Sequence, residues 1–167
     1  MNYRRVFLEN GMVFLTLVTY KRIPILINNI DILKKSLSNL LKIYKFRLVA
    51  FVVLPEHIHC IIQPRNILEY PKIVKAFKYS FSKNVGLVKP TYKRIWQNRY
   101  WEHTIRDEKD LYMHLNYIHF NPVKHCYSAN VKDWVYSSFH KFVSKNYYGI
   151  DWGSLGDVME LSDLCFE

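Results

Sequence analysis

Residues 46–54 and 57–63 form two apolar runs separated only by Pro55-Glu56. Both have the length of a strand, and the first is nearly continuous, as in a strand buried on both faces. So short a separation makes the pair an antiparallel hairpin. Side chains alternate along a strand, so His57 and His59 point to one face while Ile58, Cys60 and Ile62 point to the other. Two imidazoles side by side just past a turn suit a divalent metal, but two ligands are too few to hold one. A His-x-His on a strand is more often a pair of hydrogen-bonded histidines. A metal reading requires a third ligand from elsewhere in the chain.

The remaining elements follow from periodicity and punctuation. Residues 12–20 are β-branched and aromatic and read as a strand, broken by Lys21-Arg22-Ile23-Pro24. Asn29 or Asp31 caps a helix running to about Lys45, apolar at Leu33, Leu37, Leu40, Leu41 and Tyr44. A loop over 64–70 precedes a helix from Pro71 to about Val85 with the stripe Ile73, Val74, Phe77, Phe81 and Val85. Lys72, Lys75, Lys78, Tyr79 and Lys83 lie mostly off that stripe. Residues 95–97 and 100–106 read as a further strand or a short hairpin. Asp107 then caps a helix carrying Leu111, Leu115 and Ile118, with Asp110 in a capping-box position. Pro122 is expected to stop this helix near Asn121, because it disfavours helical geometry in the residue before it. A short aromatic-rich helical segment falls within 130–142. The order strand, helix, strand, strand, helix, strand, helix is that of an α+β, ferredoxin-like split βαβ antiparallel sheet with flanking helices and a C-terminal helix.

Charge narrows the function. The chain has 24 basic and 14 acidic side chains, a net charge of +10. Five of the acids (Asp151, Asp157, Glu160, Asp163, Glu167) fall in residues 151–167, which hold no Lys or Arg, so residues 1–150 set 24 basic groups against 9 acids, or +15. The expected organisation is one domain over 1–150 and an irregular acidic tail over 151–167, of which residues 154–167 either fold back on the basic surface or stay disordered. A body this basic expects a polyanion, and 13 Tyr, 10 Phe and 4 Trp offer stacking surfaces for unpaired bases. No apolar run approaches the ~20 residues of a membrane-spanning helix. Arg4-Arg5 is not followed by the apolar region of a signal peptide. Three scattered cysteines without a C-x-x-C fit reduced thiols in a cytoplasm.

On the last long helix, Tyr117 and Asn121 are four apart and share a face. If that face meets His57 and His59, a metal would see two imidazoles, one amide oxygen and open positions, with a phenol beside it. That arrangement suits attack on a phosphodiester. Glu56 is a candidate partner for an imidazole, and His114 or a water a candidate proton acceptor. His119 faces away from Tyr117 and reads as structural or DNA-proximal. Trp96 and Trp101 read as core.

Leu54-Pro55-Glu56-His57-Ile58-His59 resembles the HUH motif (His, hydrophobe, His), and Tyr117-Ile118-His119-Phe120-Asn121-Pro122-Val123-Lys124 resembles the catalytic helix of the REP-associated tyrosine transposases. These are chromosomal relatives of the single-tyrosine transposases of small insertion sequences. Trp96-Gln97, Tyr100-Trp101-Glu102-His103, Ile105-Arg106-Asp107, Asp133-Trp134 and Tyr136-Ser137-Ser138-Phe139-His140 extend the likeness over roughly residues 12–153. The resemblance implies Tyr117 as nucleophile, His57, His59 and Asn121 as ligands of Mg2+ or Mn2+, and a 5′-phosphotyrosine intermediate. It implies single-stranded DNA carrying palindromic hairpins as substrate. Lys72, Lys75, Lys78, Tyr79, Lys83, Arg94, Arg99 and Lys124 are the candidate DNA contacts. It also implies a cytoplasmic protein of bacterial type, on the nucleoid when bound to DNA and without a membrane partner. A monomer acting in cis is expected, and the mobile insertion-sequence enzymes, which work as dimers in trans, are the alternative within the class. Outside it stand a catalytically silent DNA-binding module and a phosphohydrolase of small nucleotides; the latter needs no such basic, aromatic surface.

Overall fold

The computed structural model describes residues 11–88, 91 and 93–153. Strand β1 (Val13–Val18) leads through two short 3-10 turns into α1 (Ile30–Tyr44). Strands β2 (Arg47–Val53) and β3 (His57–Gln63) form the hairpin, followed by α2 (Tyr70–Val88), β4 (Trp101–Thr104), α3 (Glu108–Lys124) and α4 (Phe139–Val143). The strand order is β2-β3-β1-β4 and each neighbouring pair is antiparallel. Strand β3 thus sits between β1 and β2, the split βαβ topology legible in the element order.

Helices cover both faces of the sheet, and strand alternation divides the core in two. On one face Leu15, Leu17, Ile58, Cys60 and Ile62 meet the stripe of α2 and Leu33 and Leu40 of α1. On the other, Phe14, Ala50, Val52 and Ile61 meet Leu115, Ile118 and Phe120 of α3 and Phe139 and Phe142 of α4. His57 and His59 share this second face. Cys60 lies on the first, where burial pushes its thiol up to about 12 and keeps it protonated.

Three local expectations give way to tertiary structure. Helix α3 runs through Pro122 to Lys124 instead of stopping near Asn121. Proline removes only the bond to the Ile118 carbonyl, and His125 N still closes on Asn121 O at 3.0 Å; burial of Asn121 and Pro122 against the sheet outweighs the local preference. Of the two readings of residues 95–106, the further strand holds as β4 and the hairpin does not form. Residues 95–97 and 101–104 both add to the same edge of β1, where Trp96 bridges Thr19 and β4 pairs with Val13 to Thr16. Trp96 is buried beside Phe77 and Phe81 as expected, but Trp101 is 37% exposed at the edge of the second face. Asn29 precedes α1 without capping it: its amide donates back to Ile25 O at 2.7 Å.

Other signals hold. Asp107 caps α3 by accepting from Asp110 N at 2.8 Å, and the Asp110 carboxylate accepts from Arg106 N at 2.9 Å. His119 is structural. Its ring is wholly buried, hydrogen-bonded to Ser138 Oγ at 2.8 Å and Tyr148 Oη at 3.3 Å, and burial pushes it down to about 3. The Tyr148 hydroxyl in turn donates to Asn116 Oδ1 at 3.0 Å, so a buried polar network ties α3 to the segment after it. Ser137 bridges Val52 and covers the outer edge of β2. Trp152 packs on Tyr148, with ring centroids 4.5 Å apart. Next to it Gly153 has φ 80°, and a Cβ there would lie 2.6 Å from Val131 Cγ2, so only glycine fits. The expected fold-back of the acidic tail concerns residues 154–167, which lie outside the described residues. No helix among the described residues is long and apolar enough to cross a membrane.

Candidate active site

The site begins on β3. His57 and His59 project from the same face with ring centroids 4.8 Å apart, both buried. Each ring is fixed through Nδ1. His57 Nδ1–H donates to Glu56 Oε1 at 2.9 Å, and His59 Nδ1 lies 2.9 Å from Thr16 Oγ1, its register partner on β1. In the tautomer in which Nδ1 donates, both lone pairs sit on Nε2. Glu56 is itself held: its Oε2 accepts from Tyr127 Oη at 2.9 Å, and Arg22 Nη1 stands 3.6 Å from Oε1. Burial, then the bond to Glu56 and its charge, push the Tyr127 phenol up. Lys21 and Arg22 are both left-handed, with φ of 54° and 51°. This is a strained pair for non-glycine residues, held by Thr19 Oγ1 near Ile23 O and Glu56 O, at 2.9 Å each.

Helix α3 crosses the same face. The Tyr117 ring is 5.1 Å from that of His59 and 6.0 Å from that of Phe14, and the residue is 2% exposed. Lys124 Nζ stands 4.9 Å over the Tyr117 ring, a cation–π contact. One turn on, Asn121 is wholly buried, and neither its Oδ1 nor its Nδ2 has a hydrogen-bond partner among the described residues. A buried amide in that state is rare and calls for a ligand or ion. His125, one turn further, brings its ring to 5.1 Å from His57.

These residues suit a divalent cation. Two imidazoles locked at Nδ1 offer Nε2, and the outer partners Glu56 and Thr16 are the kind that orient metal-bound histidines. The Asn121 oxygen would supply the hard donor that Mg2+ and Mn2+ prefer. A second group with ligand-type atoms, His103, Asp110 and His114, lies within 4.8 Å. It is already hydrogen-bonded internally. Asp110 Oδ2 accepts from His103 Nε2 at 2.8 Å and from Arg106 at N and Nε, while His114 Nδ1 lies 2.8 Å from Asp110 O. Burial raises the Asp110 carboxyl, but the bonds from His103 and Arg106 outweigh it and leave it below the usual range. For His114 burial dominates and lowers it. This group braces the start of α3.

The family model described as "Transposase IS200 like" matches residues 8–121. The REP-associated tyrosine transposase of Escherichia coli is 37% identical, covering 96% of this chain and 94% of its own. A Haemophilus influenzae relative is 39% identical, covering 98% and 99%. A solved structure of a REP-associated tyrosine transposase bound to a REP hairpin is 35% identical, with a TM-score of 0.81, covering 91% of this chain and 90% of that one. The chain is a REP-associated tyrosine transposase. A Deinococcus radiodurans structure, 22% identical with a TM-score of 0.50 over 68% of this chain, shares the fold.

The transposase distributes its eight candidate DNA contacts unevenly. Lys78, Tyr79, Lys83 and Arg94 come together in an open cleft of about 740 Å3, which Lys93, Gln97 and Asn98 also line. Lys78 donates to Gln97 O at 2.9 Å and lies 5.2 Å from the Tyr100 ring centroid; burial and the nearby Arg94 lower its ammonium to about 8. Lys72 and Lys75 are on the outer face of α2 away from this cleft, Arg99 is exposed in the loop before β4, and Lys124 belongs to the tyrosine site. Of the two groups read beside the metal ligands, Glu56 contacts His57 directly. His114 contacts Phe14, whose ring lies 4.8 Å from His114 and 5.7 Å from His59. Sequence reasoning missed Thr16, Lys124's place over the tyrosine, His125 and Tyr127. Two carried a signal: His125 in its i,i+4 spacing from Asn121, and Lys124 in its i,i+7 spacing from Tyr117.

Proposed function

We propose that this transposase cuts and rejoins single-stranded DNA next to a hairpin, using Tyr117 as nucleophile and a divalent cation held by His57, His59 and Asn121. The observation that supports this best is the convergence of the Tyr117 ring with His59 while the buried Asn121 amide lies one helical turn away. The Tyr117 hydroxyl gives up its proton to water, and its oxygen attacks the scissile phosphorus and forms the new O–P bond. The P–O3′ bond breaks, and the leaving 3′-oxygen takes a proton to become a free 3′-hydroxyl. The Lys124 ammonium stabilises negative charge gathering on the phenol. A bound cation would polarise a phosphate oxygen and neutralise part of its charge. The phosphotyrosine ester keeps the energy of the broken linkage, so attack by a 3′-hydroxyl reverses the step without ATP. The solved relative was bound to a REP hairpin, and the cleft lined by Lys78, Lys83 and Arg94 offers positive charge to the phosphates of such a duplex.

The test is a denaturing gel of the full chain with labelled hairpin DNA bearing single-stranded flanks, in Mn2+, in Mg2+ and in EDTA. A metal-dependent protein–DNA adduct is expected. Hairpin binding without an adduct under any condition would refute the chemistry and leave a binding module.

Two smaller effects follow from the geometry. Thr16→Val keeps the side-chain shape but removes the hydroxyl beside His59 Nδ1. The Mn2+ concentration giving half-maximal cleavage should rise about 10- to 100-fold; an unchanged midpoint would mean that Thr16 does not orient a ligand. Lys83→Ala should weaken hairpin binding at low salt and reduce the slope of log K against log salt by about 1, through one lost phosphate contact. An unaltered slope would remove Lys83 from the interface.

A further inference from the structure

All four tryptophans fall among the described residues, and Trp101 is the exposed one. It lies on edge strand β4 opposite Thr16, the residue that holds His59. Its indole stacks on His103 at 5.9 Å and 13°, and His103 stacks on His114 at 4.7 Å and 12°. The rings form a near-parallel series whose inner end, His114, is buried and whose outer end is open. The series is braced from behind, because Asp110 holds His103 Nε2 at 2.8 Å and contacts His114 from the same helix turn. The Phe14 ring lies 5.4 Å from the indole and 6.0 Å from Tyr117, so indole and phenol are no further apart than those two steps together.

We propose that Trp101 is the platform on which an unpaired base beside the scissile phosphate stacks, and that it sets that phosphate in line with Tyr117. A nucleobase has the flat π-face that continues such a series, and stacking of this kind accepts any base. Exposed Arg99, two residues upstream, supplies positive charge for the neighbouring backbone. An indole stacked on His103, itself braced by His114 and Asp110, loses little rotational freedom when a base arrives, so it is preorganised for binding. Trp101 therefore acts as a positioning residue on the unpaired flank and not on the hairpin stem.

This inference rests on the strand-transfer reading above, and its test separates the two. Hairpins with flanks would carry 2-aminopurine at each unpaired position in turn, and fluorescence would be read on titration with the full-length protein. Quenching is expected at one position next to the cleavage site with wild type and with Trp101→Phe, and not with Trp101→Leu. Trp101→Leu should also bind the flanked hairpin on the order of tenfold or more weaker while binding the flankless hairpin as wild type does. An abasic nucleotide at the quenched position should weaken wild type similarly and leave Trp101→Leu unchanged. Equal quenching by wild type and Trp101→Leu, or equal loss on flanked and flankless hairpins, would overturn the platform alone. Wild type that binds neither DNA would overturn the strand-transfer reading, and the platform with it.

Discussion

Tyr117→Phe protein should bind hairpin DNA as wild type does and form no covalent adduct. The substitution deletes one oxygen and leaves the ring among Phe14, His59 and Lys124. Loss of a single hydroxyl from a side chain already packed in place costs about 1 kcal/mol or less in stability, so folding is not at issue. The chemistry is different, because in the proposed reaction the deleted atom is the one that forms the new bond. Removal of a nucleophile in comparable enzymes lowers turnover by on the order of 10^4 or more, which takes strand cleavage below detection on a gel. Measuring binding by anisotropy and adduct by denaturing electrophoresis on the same preparation distinguishes the outcomes. Persistence of a metal-dependent adduct in Tyr117→Phe would show that another residue attacks.

The second large effect concerns Phe14. Its ring is wholly buried and touches His59, Trp101, His114 and Tyr117. Phe14→Ala removes a side chain that meets both the histidine strand and the tyrosine helix. Truncation of a buried phenylalanine typically costs 3–5 kcal/mol, since both transfer free energy and the cavity count. In a chain of this size that lowers Tm by roughly 10 °C. Phe14→Leu keeps most of the volume and should cost about 1.5 kcal/mol or less. The Leu variant carries the functional part of the prediction. It folds, but His59 and Tyr117 lose the shared flat surface that sets their spacing, so adduct formation should slow while hairpin affinity holds. Urea titration and initial cleavage rates check the two halves. A Phe14→Ala protein destabilised by less than about 1 kcal/mol would mean that the cavity collapses and that the ring is not the keystone of this face.

Much of this architecture was legible because its signals are local. The alternation in residues 57–63 put His57 and His59 on one face and Cys60 on the other, where the two cores place them. Asp107 announced the start of α3, and the i,i+4 spacing of Tyr117 and Asn121 put them on one helix face. The misses have a common physical origin in partners distant along the chain. Whether Pro122 ends α3 depends on what buries Asn121, not on the dipeptide. Trp96 and Trp101 have equivalent local sequence, yet the first tucks under α2 while the second stands at a sheet edge. The lysines of α2 were visible as a polar face, but only the return of the 93–98 loop decides which of them line a cleft. Glu56 looked like a turn residue or an imidazole partner; its bond to Tyr127 spans 71 residues and has no sequence signature.

The two-faced character of β3 also bears on how such a chain loses its activity. Its even-numbered positions pack against α1 and α2, and its odd-numbered positions carry the proposed metal ligands and face the second core. Substitutions at Ile58, Cys60 or Ile62 are absorbed on the far side of the sheet, so drift there tunes robustness while the rings keep their places. A single inserted or deleted codon within the strand would instead exchange the faces downstream of it, burying a histidine against apolar helices and presenting an isoleucine to Tyr117. Silencing in a lineage is therefore expected to arise from small in-frame indels in this strand as readily as from loss of the tyrosine, with the remaining motif still readable in the gene.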